Sequence, residues 1–595
     1  MLVSSAKMSF EEASQKSTLA PSDSSTRRLV KTDGPPHTPR PIRHLPLTEE
    51  FPFSATEKRG RLARQRTTGF QSSDSVMQIQ TREDGTEYPT GVTLRLIVLA
   101  ICLSILLMAL DNAIITTAIP KITDTFHSLP DVGWYGSAYL LTSAALQLFY
   151  GKLYTFLSIK CVYLTAIAIF ELGSLICGVA QNSLTLIMGR TVAGLGSAGI
   201  LTGSLLVLAH SVPLVKRPFY TGFTGSMYGV ASVAGPLLGG VFTDKVNWRW
   251  CFFVNLPFGA LTIGIVILFF PDPARSSAKK EPFFEHVMRF DPLGTVIFMP
   301  AIICIILALQ WGGTIYPWYD TRVVALLIVF GVFIVAFLFL QYFQQEDATV
   351  PPRIVKNRTV WASGSYSFCL GASFFVLCYY IPIWFQAVQG ASAVDSGIRN
   401  LPMLITVVVL SLVAGAIVTT LGYYVPFMIA GTVLMAAGAG LLSLFTPDTT
   451  TAAWVSYQLL FGAGVGLGMQ QPLMAVQTVL DIMDVPTGTA VVVFLQTLGG
   501  ALFVSVGQTV FVNKLVQKLA VNVPGLSPTI VLKAGATNLQ HSVPAEYIPG
   551  VILSYNDALT KTFLVAAGLA AATAFGSAAV EWRSVKERKV EVNAA

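Results

Sequence analysis

The stretch GVASVAGPLLGG, residues 229–240, lies inside a long apolar segment and decides the fold more than any other part of the sequence. Small residues recur there at intervals of four, first as the pair Gly225 and Gly229 and then as Ala231, Gly235 and Gly239. Residues four apart share one face of a helix, so small residues at this spacing let a neighbouring backbone approach closely. Pro236 bends the helix, which membrane proteins tolerate when neighbouring helices satisfy the freed carbonyl. The pattern predicts a membrane helix with a tight packing face.

The role of this face stays open on the pattern alone. Ordinary helix packing explains the spacing, and so does a surface on which one helix slides against another. The residues that would form such a moving seam are Gly225, Gly229, Gly235, Pro236, Gly239 and Gly240.

The composition is that of a membrane protein. The 595 residues are 53% hydrophobic and 12% charged, whereas soluble chains carry about a quarter charged residues. The net charge of +7 resides largely in the N-terminal stretch and in short loops, so no nucleic-acid partner is expected. The seven cysteines lie in or beside apolar runs and predict packing instead of a disulfide framework. No cleaved signal peptide is expected, and the first apolar run should start insertion.

Fourteen apolar runs follow the N-terminal stretch, each about 20 residues long, the length that crosses a bilayer as a helix. We therefore expect an all-α integral membrane protein with fourteen transmembrane helices. The runs are residues 92–119, 132–152, 161–180, 184–209, 219–242, 248–270, 292–312, 323–343, 361–387, 397–421, 425–445, 452–476, 488–512 and 563–580.

The distribution of basic residues predicts the orientation. With the N-terminus inside, most of the loop lysines and arginines fall on the cytosolic side, as the positive-inside rule requires. An even number of helices then leaves both termini in the cytosol. The one N-x-S/T sequon, residues 357–359, falls on a cytosolic loop, so no glycosylation is expected.

A weak internal repeat predicts the order of domains. The segment GRTVAGLGSAG at 189–199 resembles LLFGAGVGLGM at 459–469, and seven runs lie between them where a repeat of six would leave five. Two extra helices between two six-helix halves explain the difference. The expected parts are a disordered cytosolic tail (1–90), a six-helix bundle (91–271), a linker with two extra transmembrane helices (272–345), a second bundle with a long extracellular loop near 513–560 (346–582) and a cytosolic tail (583–595).

Ionisable residues inside membrane spans usually face a cavity and have a function, and three stand out here: Asp111, Glu171 and Arg190. Asp111 lies nine residues, roughly 13 Å, below the outer end of the first run. Arg190 lies eight residues, roughly 12 Å, below the outer end of the fourth. The two charges are therefore at matching depth and can pair. Such a pair is either a proton-exchanging site or a static bridge that fixes helix register.

Glu171 has no cation near it in the pattern, and burial favours its neutral form. A coupling role and a hydrogen-bonded structural role remain equally open. In the second half, neutral polar and aromatic residues suit a bulky, mostly apolar ligand, although aromatic residues in spans also serve packing. The candidates for a substrate cavity are Tyr379, Trp384, Gln386, Gln470, Gln471 and Gln496.

Motifs for other chemistry are excluded by their context. GLGSAG at 194–199 has dinucleotide-site spacing but lies within a membrane run, and no phosphate-binding loop of an ATP-driven pump occurs. His127, His210 and His286 stand singly, so no metal site is expected. No nucleophile, acid and base converge in a soluble segment, so neither an enzyme nor a cofactor is expected.

Several segments together resemble the major facilitator superfamily, and closely its fourteen-helix drug:proton antiporter branch as found in fungi. They are LDNAIITTAIP (110–120), IMGRTVAGLGSAG (187–199), GVASVAGPLLGG (229–240), WRWCFFVNLPFG (248–259), ALQWGG (308–313) and PIWFQAVQGASAVDSGIRNLP (382–402). By this resemblance, Gly235 and Pro236 belong to a motif associated with export. Arg190 matches the helix 4 arginine that is linked to proton transfer in the family, and Asp111 matches the helix 1 acid of the fourteen-helix members. The loop GKLYTFLSIK (151–160) departs from the family, since it lacks the usual aspartate and paired basic residues.

The sequence and the resemblance together predict a proton-driven exporter of small amphipathic organic compounds, such as fungal secondary metabolites, mycotoxins or antifungal drugs. The two halves would rock around a midplane cavity. The expected partners are the substrate, protons and the lipid bilayer, and we expect a monomer in the plasma membrane, with a vacuolar or vesicle membrane as the alternative. A proton-coupled importer of siderophores or nutrients and a non-transporting membrane sensor remain the rival functions.

Overall fold

The computed structural model describes residues 88–126, 131–272, 290–313, 316–534 and 543–586. They belong to one compact unit, Gln78–Ala595. The tail expected over residues 1–90 lies outside the described residues except for its last three. Most of the C-terminal tail, from residue 587 onward, also lies outside them.

Helices account for nearly all of the described chain. The first part contains α1 (Gly91–Phe126), α2 (Val132–Phe156), α3 (Ile159–Gly178), α4 (Ser183–Ser211), α5 (Arg217–Lys245), α6 (Trp250–Phe253) and α7 (Asn255–Phe269). Two helices follow, α8 (Pro292–Trp311) and α9 (Thr321–Gln344). The last part contains α10 (Pro352–Lys356), α11 (Arg358–Ala387), α12 (Ala393–Arg399), α13 (Leu401–Leu421), α14 (Val425–Leu442), α15 (Thr451–Gly468), α16 (Gln471–Val479), α17 (Val485–Asn522), α18 (Pro528–Ala534) and α19 (Ile548–Ala579).

Side-chain caps fix where several helices begin. The side chain of Asn182 accepts a hydrogen bond from the backbone N–H of Thr185 at 2.8 Å, and Asn357 accepts one from Thr359 at 3.0 Å. Such caps satisfy backbone donors that the first turn of a helix leaves unpaired. Proline follows the breaks at Asn400 and Gln470, where its fixed φ suits the first turn of the next helix.

The same arrangement of helices occurs twice. In the first part, α1 packs on α5 and α7, and in the last part α11 packs on α17 and α19 in the same way. The helix α4 packs on α2 and α3, and its counterpart α15 packs on α13 and α14. Finally, α3 packs on α7, and α14 packs on α19. The two repeated segments hold equivalent positions. Gly196 of α4 lies against Phe170 of α3, and Gly464 of α15 lies against Met435 of α14. Each of these glycines lets two helices of its own bundle approach closely.

The two bundles meet through α5 with α13 and through α2 with α17. A Cβ placed on Gly222 of α5 would lie 2.6 Å from the carbonyl oxygen of Ser411 in α13. One placed on Gly151 of α2 would lie 2.6 Å from the Cβ of Ala490 in α17. Glycine is therefore required at both crossings, because no side chain fits between the helices.

The helices α8 and α9 pack on each other beside the bundles. Phe298 of α8 lies 4.8 Å from Phe337 of α9 and 5.4 Å from Phe494 of α17, measured between ring centroids. At the other end of α8, Trp311 lies 6.3 Å from Trp134 of α2. The helix α8 therefore contacts both bundles through aromatic side chains, and α9 packs on α8.

In the described ranges, 13 helices are long and apolar enough to cross a membrane. The helix α2 fills the fourteenth expected position but is not among the 13, because polar residues such as Gln147 and Lys152 interrupt its apolar face. The membrane-spanning helical fold is confirmed, while the count of fourteen spans remains a prediction.

The segment near residues 513–560, expected as a long extracellular loop, is helical over much of its length. The helix α17 continues to Asn522, the short helix α18 covers Pro528–Ala534, and α19 begins at Ile548. Polar residues break the apolar pattern in these helix ends without breaking the helices: Lys518 of α17 pairs with Asp557 of α19 at 2.8 Å. Residues 535–542 lie outside the described chain.

Candidate functional site

Asp111 of α1 and Arg190 of α4 form a salt bridge in the first bundle, and the side chains of both are fully buried. Nη1 of Arg190 donates to Oδ2 of Asp111, and Nε donates to the backbone carbonyl of Tyr135 at 2.8 Å. The guanidinium also lies 4.5 Å from the ring centroid of Tyr139. A buried pair such as this one is stable only while both charges and their hydrogen bonds are present.

A third residue joins the pair, and the sequence reasoning missed it. Asn255, at the start of α7, is fully buried, and its Nδ2 donates to Oδ1 of Asp111 at 3.0 Å and to Oγ of Ser174 at 3.1 Å. It thereby links α1, α3 and α7. The available signal was a lone amide in the apolar motif WRWCFFVNLPFG, since a buried polar side chain needs a hydrogen-bond partner.

The cluster is not fully satisfied. Nη2 of Arg190 and Oδ1 of Asn255 have no hydrogen-bond partner among the described residues. One free donor and one free acceptor therefore remain beside the Asp111 carboxylate, which itself uses one oxygen for Arg190 and the other for Asn255.

Glu171 lies near this cluster without a direct bond to it. It is on α3, one turn before Ser174, and neither carboxylate oxygen has a hydrogen-bond partner in the part of the chain that the structure describes. Its side chain fills the space beside Gly259 of α7, where any Cβ would overlap the carboxylate. The structure therefore brings together Asp111 and Arg190, with Glu171 one helical turn away from the Asn255–Ser174 contact.

The small residues of α5 form two contact surfaces instead of the single face expected. A Cβ on Gly235 would lie 2.6 Å from the Cβ of Ala113 in α1, and one on Gly239 would lie 2.7 Å from the carbonyl oxygen of Ile114. The step of six positions from Gly229 to Gly235 turns the helix by about 240° beyond one full turn, so the two glycine pairs cannot face the same way.

The other pair of glycines faces the second bundle. A Cβ on Gly229 would clash with the Cγ2 of Val408 in α13, and one on Gly225 would clash with the amide nitrogen of Gln470. Gly240 belongs to neither surface, because a Cβ built there meets no neighbouring helix of the described chain within 4 Å. Pro236 lies within α5, and its side chain is outside the described residues.

The polar and aromatic candidates of the second half do not form one group. Trp384 is fully buried in the core of the second bundle, where Nε1 donates to Oδ1 of Asn556 at 2.8 Å, so it is a packing residue and not an exposed cavity wall. Gln386 donates to Ser396 at 2.8 Å. Tyr379 is 55% exposed. None of these three lies at the crossing of α5 and α13.

The glutamines differ in their surroundings. Gln470 contacts Gly225 of α5 and so lies between the two bundles. Gln471 is buried and donates to the carbonyl of Leu467 at 3.1 Å. Gln496 lies against Gly371 between α11 and α17. Of this set, Gln470 is therefore the residue at the interface between the halves.

The fold and its apolar helices define a multi-pass membrane protein built from two similar helical bundles. The Major Facilitator Superfamily model matches residues 101–504. The chain therefore belongs to that superfamily of membrane transporters.

Relatives with high identity carry efflux names. The MFS-type efflux pump MFS1 of Arthroderma benhamiae is 54% identical over 506 residues, which cover 85% of this chain and 94% of that protein. The aspyridones efflux protein of Neocamarosporium betae is 54% identical over 505 residues, covering 84% and 90%. The efflux pump roqT of Penicillium rubens is 49% identical over 543 residues, covering 91% and 96%.

Solved structures agree on the fold. The human organic anion transporter MFSD10 (TETRAN) gives a TM-score of 0.51 at 14% identity, covering 80% of this chain and 99% of that one. A double Trp mutant of XylE gives 0.52 at 13% identity, covering 84% and 98%. At this identity the likeness concerns the fold alone.

Proposed function

We propose that the protein is a proton-coupled antiporter that exports small amphipathic organic compounds, such as fungal secondary metabolites, mycotoxins or antifungal drugs, and that it is not an enzyme. The efflux names of relatives about half identical to this chain support export. The observation that carries proton coupling is the fully buried pair of Asp111 and Arg190. A buried acid that is paired with an arginine can exchange that cation for a proton.

The proposed topology has fourteen spans, grouped six plus two plus six, with both termini in the cytosol. The end of the molecule at which α5 and α17 begin is then cytosolic. The described contacts of Gly222 with Ser411 and of Gly151 with Ala490 lie toward that end. The described state is therefore one in which the bundles touch on the cytosolic side, and transport requires them to part there.

Protonation of Asp111 would weaken its attraction to Arg190, since a neutral acid no longer forms a salt bridge. Arg190 holds α4 to α1, and α1 carries the surface on which Gly235 and Gly239 of α5 pack. The proton and the movement of α5 are thereby connected through α1. Glu171 is proposed as a further proton-exchanging residue, because its carboxylate is buried without a bonding partner among the described residues.

The test is the accumulation of a fluorescent amphipathic dye, rhodamine 6G, together with candidate metabolites, in cells that make the protein. We expect lower accumulation with the wild-type protein, and a protonophore should abolish the difference. Asp111→Asn should behave like the protonophore, while Asp557→Asn, at a partly exposed ion pair with Lys518, serves as the matched control. Efflux by Asp111→Asn at the wild-type rate and equal surface amount would contradict proton coupling, and higher accumulation with the wild-type protein would indicate import.

We further propose the plasma membrane as the location and a monomer as the active form. Microscopy of a C-terminally tagged chain and the mass of the detergent-purified protein test these two points.

A further inference from the structure

The side-chain amide of Asn255 has a hydrogen-bond donor, Nδ2, and an acceptor, Oδ1, and only the donor makes hydrogen bonds in the described structure. Its Nδ2 donates to Asp111 and Ser174, whereas its Oδ1 has no hydrogen-bond partner among the described residues. A carboxylic acid and an amide can form a ring of two hydrogen bonds, in which the amide N–H donates to the acid carbonyl and the acid O–H donates to the amide carbonyl. Asn255 already makes the first of these bonds to Oδ1 of Asp111.

We propose that Asn255 is the positioning residue of the proton site: its free carbonyl accepts the O–H of protonated Asp111. This inference rests on the proposed proton coupling. The proton then binds Oδ2, the oxygen that Arg190 now occupies, so the proton and Arg190 alternate at one atom. In the charged state Oδ2 accepts from Arg190, and in the neutral state it donates to Asn255. Asp111 keeps its bond to Nδ2 in both states and does not move.

The groups that face Asp111 come from five other helices. They are Tyr135 and Tyr139 of α2, Glu171, Ser174 and Cys177 of α3, Arg190 of α4, Cys251 of α6, and Asn255 of α7, with Asp111 on α1. Arg190 is the cation among these groups. Two events therefore change the electrostatics of the site: Arg190 leaves Oδ2 of Asp111, and a proton binds there.

Infrared difference spectroscopy of the purified protein in lipid, recorded across pH, tests this without a substrate. The carbonyl band of protonated Asp111 is identified by its loss in Asp111→Asn. In Asn255→Leu that band should shift to higher frequency, because the acid carbonyl loses its amide donor. Ser174→Ala, which removes only the other acceptor of Nδ2, should leave it in place.

Two outcomes separate this proposal from the function on which it rests. If Asp111→Asn removes no band, Asp111 takes up no proton and the proposed function fails. If the band is present but stays unshifted in Asn255→Leu, the role of Asn255 is overturned. Asn255→Ala provides the same readout with less steric load should the leucine variant not fold.

A second, independent set of contacts joins the bundles through the segment that follows α9. Lys152 of α2 donates to the backbone carbonyl of Ala348 and, at 3.4 Å, to that of Glu346. Arg353 of α10 pairs with Glu346 at 3.1 Å and with Asp484, just before α17, at 2.6 Å. Lys152 belongs to the first bundle and Asp484 to the second, so residues 346–353 connect the two.

The helices α8 and α9 hold this segment in position. Asp291, which precedes α8, is fully buried and accepts hydrogen bonds from the backbone of Gly294 at 2.7 Å, from Gln341 of α9 at 2.7 Å, and from the backbone and hydroxyl of Thr349 at 2.9 and 2.7 Å. The connection is therefore anchored to the two inserted helices.

We infer that residues 346–353 form a latch that keeps the bundles together at the end where α2 stops and α17 starts. The segment GKLYTFLSIK contains the end of α2 and the start of α3, and its Lys152 is the residue through which the first bundle contacts residues 346–353. Arg353 makes the contact with the second bundle at Asp484. This gives α8 and α9 a mechanical role that depends on neither the substrate nor the proton.

Cross-linking between Thr155→Cys and Thr487→Cys tests the latch, because the two hydroxyl oxygens lie 3.3 Å apart across the crossing of α2 and α17. Adding Arg353→Gln should lower the yield of the cross-link several-fold, while Arg583→Gln, at an exposed ion pair with Glu581, should not change it. Mass spectrometry identifies the product among the native cysteines. Lys152→Met is the second variant, and an undiminished yield in both folded variants would overturn the latch.

Discussion

Asp111 and Arg190 stabilise each other, because a buried charge without its partner retains an uncompensated desolvation free energy. Both side chains are completely buried, and Arg190 also donates to the carbonyl of Tyr135 and lies over the ring of Tyr139. The surroundings therefore fit a charged arginine better than any neutral replacement.

Removing one partner should cost more stability than removing both charges. Arg190→Gln leaves Asp111 without its cation and should lower the free energy of unfolding by about 3–5 kcal/mol. The double variant with Asp111→Asn carries no unpaired charge and should recover much of that loss. Thermal unfolding of the purified proteins measures both, and a double variant as unstable as Arg190→Gln would argue against the interpretation.

Asp291 predicts a pH dependence of stability. Burial alone raises the pKa of this carboxyl, but hydrogen bonds from Gln341, Thr349 and Gly294 outweigh it and hold the pKa below its ordinary value. A carboxyl with a lowered pKa stabilises the fold above its unfolded-state pKa, and that contribution is lost as the pH falls through the lower folded value. The difference in stability between the wild type and Asp291→Asn should therefore be full at neutral pH and shrink below about pH 4. Unfolding midpoints recorded against pH check this, and a difference that stays constant to pH 3 would count against it.

For single residues, the sequence predicted the partners of charged side chains better than those of neutral polar side chains. The rise of a helix sufficed to set Asp111 and Arg190 at one depth, and the structure pairs them. Asn255 escaped notice because a single amide carries no charge to mark it. The residue type of Trp384 does not reveal whether its side chain faces a cavity or the core of a bundle, and the structure places it in the core.

The element that connects the parts of the molecule is α5. Its first half packs on α13 of the second bundle through Gly225 and Gly229, and its second half packs on α1 through Gly235 and Gly239. The spacing of small residues predicted close packing, but the six-residue interval between the pairs, not the interval of four, sets which helices they touch. A movement of α5 therefore changes contacts in both bundles.

A side chain on the α1 surface of α5 should block transport. Leucine at Gly239 would overlap the hydroxyl of Thr117 and the backbone of Ile114, so Gly239→Leu should reduce dye efflux at least about tenfold or prevent folding. Gly240→Leu is the matched control, because a Cβ there meets nothing within 4 Å. Efflux normalised to surface protein is the measurement. Equal efflux by both variants would show that transport does not depend on the close contact between α5 and α1.

The observed ends of the helices agree with the ends of the apolar runs only where a helix lies wholly in apolar surroundings. The helices α17 and α19 extend beyond their apolar runs because polar residues such as Lys518 and Asp557 pair with each other instead of ending the helix. Similarly, α2 keeps its helical structure although Lys152 and Gln147 lower its hydropathy. Tertiary contacts, which a hydropathy window does not contain, determine these cases.

At the scale of the whole molecule, two bundles with equivalent helix contacts meet through α5 with α13 and α2 with α17, and the inserted helix α8 contacts both. The weak repeat at 189–199 and 459–469 was enough to predict where the equivalent helices lie. Alternating access of such a pair requires these crossings to open and close. The proposed antiporter links that motion to the charge state of Asp111.

The most direct measurement of this link is proton movement during transport. The protein is reconstituted in liposomes that contain a pH-sensitive dye, and rhodamine 6G or a candidate metabolite is added on one side. The wild-type protein should move protons in the direction opposite to the substrate, and Asp111→Asn should move none while Asp557→Asn behaves as the wild type. Substrate movement by the wild type without any change in the dye signal, or an unchanged proton signal in Asp111→Asn, would contradict proton-coupled export through Asp111.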